Sequence, residues 1–149
     1  FLKNIAAKGH WSGKNPFEPS VSLDSNNPLI AVITRATIRK RHLRKFWNYV
    51  PHSEKPLTDA SGLIYTKGIG EVPVVQMATF SIWSSLESLH KFAYQSKEHV
   101  VAIEKTRHFD WYKEEMFSRF QPYKSIGKWQ GRIMLPELNA GPDFDQKRQ

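Results

Sequence analysis

Histidine is the first residue type to weigh for chemistry, and the chain has six: His10, His42, His52, His90, His99 and His108. It has no cysteine. That excludes a thiolate nucleophile, a Cys-ligated zinc or iron–sulfur site, thiolate-ligated haem and a disulfide framework. Neither H-x-x-x-H nor H-E-x-x-H occurs, so no zincin motif is present. His90, His99 and His108 are nine residues apart. Nine residues is about 2.5 helical turns, which would put neighbours on opposite sides of one continuous helix. His99 stands apart by its position. It follows Ser96, a candidate N-cap, in the first turn of a helix expected over Lys97–Arg107. The positive end of the helix dipole disfavours imidazolium and keeps the ring neutral, as a metal ligand must be. A neutral His in a chain without Cys suits the proximal position of a haem iron. An ordinary half-exposed histidine fits the same place.

Arg35 is the second residue to weigh, because it is a charge inside an apolar strand, LIAVITRATI over Leu29–Ile38. A buried guanidinium needs an anion. A propionate would serve, and so would a carboxylate such as Glu71. Trp83, Tyr94 and Trp111 are candidates to line a cavity, with core packing as the plainer alternative. No G-x-G-x-x-G opens a helix after a strand, and no G-x-S-x-G occurs. A nicotinamide or flavin site and an α/β-hydrolase nucleophile are therefore unsupported. The basic run Arg35, Arg39, Lys40, Arg41, Arg44 and Lys45 could serve RNA, an acidic redox protein or a membrane surface, or be a solvated helix face. The aromatic strand pattern of an RNA-recognition module is missing, so nucleic acid is not an expected partner.

Composition sets the frame for these residues. The chain has 149 residues, 40% hydrophobic and 24% charged, enough for one domain with a real core. The net charge of +8 attracts anionic partners. Aromatic residues reach 13%, which suits a large core or a roomy site for a flat or elongated apolar ligand. No run approaches the roughly 18–20 apolar residues of a membrane span, and no signal peptide is visible. A cytoplasmic location is expected, with peripheral membrane attachment as an option.

The elements that must position the site follow from periodicity. After the strand Leu29–Ile38, residues Arg41–Val50 read as a helix with Leu43, Phe46, Trp47 and Val50 on one face. A strand is expected at Leu63–Gly68, a turn at Ile69-Gly70-Glu71, and a third strand at Val74–Trp83. Ser84 and Glu87 have capping-box spacing and open a helix that buries Leu86, Leu89, Phe92 and Ala93. A fourth strand is expected near Glu115–Tyr123. The order strand–helix–strand–strand–helix–strand is the α+β, ferredoxin-like split βαβ unit. Its helices cover one sheet face. The other face, expected to carry Leu29, Ala31, Ile33, Val75 and Met77, calls for a second such unit or a partner chain. Two units facing each other make an α+β barrel.

An internal repeat supports that reading. Gly9-His10-Trp11-Ser12-Gly13-Lys14 matches Gly127-Lys128-Trp129-Gln130-Gly131-Arg132, displaced by 118 residues. A shift of one domain length suggests tandem duplication. Residues 1–27 are thus expected to be the closing strand of a preceding unit plus a linker, 28–135 the ferredoxin-like unit, and 136–149 a polar tail. The first residue is Phe1, not Met, as expected of the later part of a longer precursor.

Several strings carry a family resemblance. Thr34-Arg35-Ala36-Thr37-Ile38-Arg39, Phe46-Trp47, Val50-Pro51, Gly68-Ile69-Gly70-Glu71-Val72-Pro73, Ala78-Thr79-Phe80-Ser81-Ile82-Trp83, Phe92-Ala93-Tyr94 and Trp111-Tyr112-x-Glu114-Glu115 through Arg119-Phe120 resemble the spheroidene monooxygenase family, over roughly residues 9–131. The resemblance implies the C-terminal half of an acyclic carotenoid 2-ketolase. Such an enzyme is a haem-containing, dioxygen-dependent oxygenase that introduces a keto group at C-2 of a spheroidene-like polyene. Its electrons come from a ferredoxin-type donor. The resemblance also implies His99 as the haem-iron ligand. On this reading Arg35, Trp83 and Trp111 serve catalysis, and His99, Arg35 and Tyr94 bind the cofactor. A second barrel unit, in a homodimer or an N-terminal half, completes the cavity. The alternative is a non-catalytic ferredoxin-like module that binds haem or an apolar ligand.

Overall fold

The computed structural model describes residues 1–48, 60–72, 74–95, 101, 108–129 and 131–138. Five strands form one antiparallel sheet: β1 (Leu2–Gly9), β2 (Ile30–Ile38), β3 (Leu63–Val72), β4 (Gln76–Trp83) and β5 (Tyr112–Pro122). Their spatial order is β1-β5-β2-β4-β3. β2 to β5 give the expected α+β, ferredoxin-like arrangement. β1 is added at the β5 edge, running from Leu2↔Pro122 to Gly9↔Met116.

Strand β2 is central and rich in β-branched residues, with Ala31, Val32, Ala36 and Ile38 nearly inaccessible. Above one sheet face lies α1 (Leu86–Gln95). Leu89 is buried against Ile30, Val32 and Trp83, with Phe92 packed alongside. Ser85 caps this helix: its Oγ accepts the Ser88 amide at 3.1 Å. The cap therefore sits one residue after the expected Ser84. Residues 43–48 are helical, following a 3₁₀ turn at Lys40–His42. Phe46 seals the same face, packed edge-on to Trp111 with ring centroids 5.8 Å apart. The helix expected over 97–107 lies outside the described residues, Val101 excepted, and His99 lies outside them with it.

Two expectations are corrected by the register. Strand β3 does not turn at Ile69-Gly70-Glu71. Gly68, Ile69 and Gly70 stay extended and pair with Thr79, Ala78 and Met77. The chain reverses beyond Val72, where Val74 takes φ 71°. The second correction concerns the faces. Ala31, Ile33 and Arg35 sit opposite Ile82, Phe80 and Ala78, so those residues share the helix-free face. Met77 and Trp83 lie on the other side, against Phe46 and Leu89 respectively. In a strand of period two, a shift of one residue in pairing moves every side chain across the sheet.

The helix-free face is partly covered by the chain itself. Its cluster of Leu29, Ala31, Ile82, Phe120 and Leu135 receives Phe17 from the connector and Met134 and Leu138 from beyond β5. Phe17 meets Phe120 edge-on at 4.9 Å. The Gln121 carboxamide steadies the connector, donating to the Asp24 and Asn27 carbonyls at 2.7 and 3.0 Å and accepting the Asp24 amide at 2.8 Å.

Candidate functional site

The helix-free face carries the chemistry. Arg35 is the only guanidinium on the central strand and its side chain is 1% exposed. Its Nη1 donates to Glu114 Oε1 at 2.9 Å. Glu114 stands on β5 opposite Thr37, two residues along the strand from Met116, which pairs with Arg35. The same carboxylate accepts the Ser12 amide at 2.8 Å and the Gly13 amide at 2.7 Å. The Gly13 and Ser12 amides hold the Glu114 carboxyl below its ordinary value; burial opposes them less strongly, and Arg35 adds smaller lowering contributions. The Trp11 ring lies over the guanidinium, 4.9 Å from centroid to Cζ. One carboxylate thus ties together two strands and the turn that follows β1.

Glycine permits that turn. Gly9 has φ 93°, and a Cβ there would run into the Glu115 carbonyl oxygen. Gly13 has φ 78°, and Ser12 is itself left-handed at φ 55°. The paired bonds Trp11 N–H to Lys14 O at 2.6 Å and Lys14 N–H to Trp11 O at 3.3 Å close the turn.

Beside the Arg35 cluster the face is apolar, with Ile33, Phe80, Tyr65 and Phe120 in one continuous patch. Two buried polar atoms in it, Ser118 Oγ and Asn4 Oδ1, have no partner among the described residues. At the β3 end an open cleft of about 590 Å³ runs along Ile64, Tyr65 and Lys67, walled by Trp129, Arg132 and Met134. Tyr65 meets Trp129 edge-on at 5.4 Å, and Lys67 Nζ lies 5.8 Å from the centre of the Trp129 ring. Desolvation pushes the Tyr65 hydroxyl pKa up.

Among the described residues, Arg35, Trp83, Trp111 and Tyr94 are not brought together. Arg35 is on the helix-free face. Trp83 is 1% exposed beneath α1, its Nε1 donating to Ser81 Oγ at 2.9 Å. Trp111 is buried on that same helical side, stacked on Phe109 at 5.6 Å. Tyr94 is 74% exposed and touches only the His90 ring among the described aromatic contacts. His99 and His52 lie outside the described residues. Among the described residues no three His, Asp or Glu side chains cluster as a metal site. Glu71 stands on β3, separated from β2 by β4. Among the described residues Arg35 pairs with Glu114, which sequence reasoning did not select. Only the β2–β5 register, linking positions 79 apart in sequence, identifies it.

No protein-family model matches the chain. It is 39% identical over 143 residues to the spheroidene monooxygenase of Cereibacter sphaeroides, covering 95% of this chain and 44% of that protein. The Rhodobacter capsulatus enzyme of the same name is 33% identical over 135 residues, 90% of this chain and 56% of the relative. The expected resemblance to the spheroidene monooxygenases is borne out. The chain spans about half the length of these relatives. Among solved structures, one assigned by name to the antibiotic biosynthesis monooxygenases, from Nitrosomonas europaea, superposes with TM-score 0.58 at 8% identity. It covers 70% of this chain and 100% of that chain. SnoaB from Streptomyces nogalater, described as a cofactor-independent oxygenase, superposes with TM-score 0.55 at 9% identity, covering 68% of this chain and 99% of its own. At such identities these neighbours speak for the fold. No helix among the described residues is long and apolar enough to cross a membrane.

Proposed function

We propose that this chain supplies part of a monooxygenase acting on an acyclic carotenoid, with the helix-free sheet face as the bed for the polyene. The observation that carries the proposal is the 39% identity to a spheroidene monooxygenase along 95% of the chain. The partly exposed apolar patch of Ile33, Phe80 and Tyr65 supports it, because a long hydrocarbon gains from leaving water. In the reaction one oxygen atom of dioxygen enters a carbon–hydrogen bond and the other leaves as water. An external donor, expected to be of ferredoxin type, provides two electrons, and solvent provides two protons. The finer expectation is a keto group at C-2 of a spheroidene-like polyene, which takes two such insertions at one methylene, with two dioxygen molecules, four electrons and four protons, and loss of water from the resulting geminal diol.

The chain's own residues have definable tasks in this proposal. The apolar face excludes water from the bound chain. Arg35 and Glu114 neutralise each other, so they fix the Trp11 turn at the rim without placing a net charge under the polyene. Haem is the oxygen-activating group that the resemblance implies, with His99 as iron ligand. Among the described residues Arg35 is held by Glu114 and Tyr94 is 74% exposed, and His99 lies outside them.

The test is spectroscopic. Purified protein is given an acyclic carotenoid, then hemin, then reductant under air. A shifted and sharpened polyene spectrum is expected on binding, followed by an oxygenated product after reductant. A Soret band that disappears in His99→Ala would support the haem expectation. Binding without product would favour the non-catalytic ligand-binding module.

A further inference from the structure

We propose that Ser118 and Asn4 form a buried polar subsite for the oxygen-bearing end of the polyene, where the alcohol left by a first oxygen insertion is held for a second. The inference deepens the monooxygenase reading above and rests on it. Its starting point is an unmet hydrogen bond. Ser118 stands on β5 opposite Ile33 of β2 and Ala7 of β1. Ile33 is paired in turn with Phe80, and Phe80 with Lys67. Directly opposed residues share a sheet face, so one row on the helix-free face runs Ser118, Ile33, Phe80, Lys67. Ile33 and Phe80 are the half-buried floor of the polyene bed. Lys67 is exposed at the open end of the row, beside the cleft, where water serves its ammonium. Ser118 is at the closed end, 0% exposed, and its Oγ has no partner among the described residues. Asn4, opposite Phe120, is diagonal to Ser118 across the β1–β5 pairing. Its Nδ2 donates to the Ala6 and Arg119 carbonyls at 3.5 and 3.3 Å, which leaves its buried Oδ1 over. Buried polar atoms are costly to leave unmet, so this pair calls for a ligand atom.

Two aromatic rings roof this end of the row. Trp11 lies over Arg35, which pairs with Met116, and Phe17 packs edge-on to Phe120. Met116 and Phe120 flank Ser118 on the same face of β5, and the Trp11 and Phe17 rings are 6.4 Å apart above them. Phe17 belongs to the connector between β1 and β2, outside any strand or helix, so packing holds this roof and no strand ladder does. The chemistry of the polar pair selects what lies beneath it. A hydroxyl donates to Asn4 Oδ1 and accepts from Ser118 Oγ, so an alcohol meets both. A ketone accepts from Ser118 alone, and a hydrocarbon meets neither. A keto product needs two insertions at one methylene, and the alcohol is the species between them. Holding the alcohol by two bonds favours the second insertion over release. The ketone, held by one, leaves more readily.

The test compares three ligands that differ at one carbon. The purified chain is titrated with an acyclic carotenoid hydrocarbon, its 2-hydroxy derivative and its 2-keto derivative, and the polyene absorbance reports binding. The expected order of affinity is alcohol, ketone, hydrocarbon, each step about twofold to tenfold. Ser118→Ala is expected to bind the ketone no more tightly than the hydrocarbon, and in turnover to release a larger share of alcohol. If Ser118→Ala does not fold, the order in the unaltered chain decides. Equal affinities for the three ligands overturn the inference and leave the monooxygenase reading in place, and a buried water satisfying Ser118 would give that result. A preference for the ketone over the hydrocarbon that survives in folded Ser118→Ala overturns it as well. Failure of all three to bind overturns the inference together with the reading it rests on.

Discussion

Replacing Arg35 and Glu114 separately should have unequal effects, and the inequality tests how the cluster is built. Arg35→Met removes a guanidinium but leaves Glu114 its two backbone donors, and the carboxylate side chain is 22% exposed. The loss is that of one charge-assisted hydrogen bond, ~1.5–3 kcal/mol, together with a ring contact of ~0.5–1 kcal/mol. Met restores most of the volume, so about 2–4 kcal/mol is expected for Arg35→Met at neutral pH. Glu114→Gln should cost more. It weakens three charge-assisted hydrogen bonds at once, those from the Ser12 and Gly13 amides and that from the Arg35 guanidinium. The pH dependence separates the two again. The carboxyl of Glu114 is lowered in the folded state, so its contribution is present above the unfolded-state carboxylate pKa. It is lost as pH falls through the lower folded value. Because the Gly13 and Ser12 amides are the larger causes, that acid loss should persist in Arg35→Met and vanish in Glu114→Gln. Urea unfolding by circular dichroism, repeated from neutral to acid pH with the double variant, measures both. Equal losses for the two variants, or an acid transition unchanged in Glu114→Gln, would refute the reasoning.

Other expectations follow from single sites. Trp83→Ala should cost about 3–5 kcal/mol, because the indole is 1% exposed beneath α1, and thermal unfolding reads this directly. At fixed folded fraction, polyene binding by Trp83→Ala should be unchanged, since the ring lies on the opposite sheet face from Phe80 and Phe120. Ser118→Ala should be neutral or slightly stabilising in urea titration, because the buried Oγ has no partner among the described residues. Gly9→Ala should destabilise the chain, since it places a Cβ against the Glu115 carbonyl at φ 93°; amide exchange of β1 should rise with it.

Much of the scaffold was legible in the residues. The β-branched run of Leu29–Ile38 marks the central strand, and Leu89 and Phe92 mark the buried side of α1, because burial imposes period two on strands and period 3.6 on helices. The repeat G-x-W-x-G was legible as spelling, and its matched glycine φ values give that spelling a physical meaning. The need of Arg35 for an anion was also legible from its place in an apolar strand. Which anion was not, since Glu114 reaches Arg35 only through the β2–β5 register. The same limit misplaced Met77: alternation shows that two faces exist, and pairing decides which of them meets the helices. Gly68 and Gly70 read as a turn by composition, yet both lie extended with open space where a Cβ would be. Long-range pairing overrode the local signal there.

The central claim is that the chain serves oxygenation of an acyclic polyene, and labelled dioxygen tests it most directly. The purified protein is incubated with the carotenoid, reductant and ¹⁸O-enriched dioxygen in ordinary water, and the product is weighed by mass spectrometry immediately after a short reaction, before carbonyl oxygen exchanges with solvent. The account predicts one heavy oxygen in the polyene product. A bound polyene recovered without added oxygen, or with oxygen drawn from water at the earliest times, would contradict it.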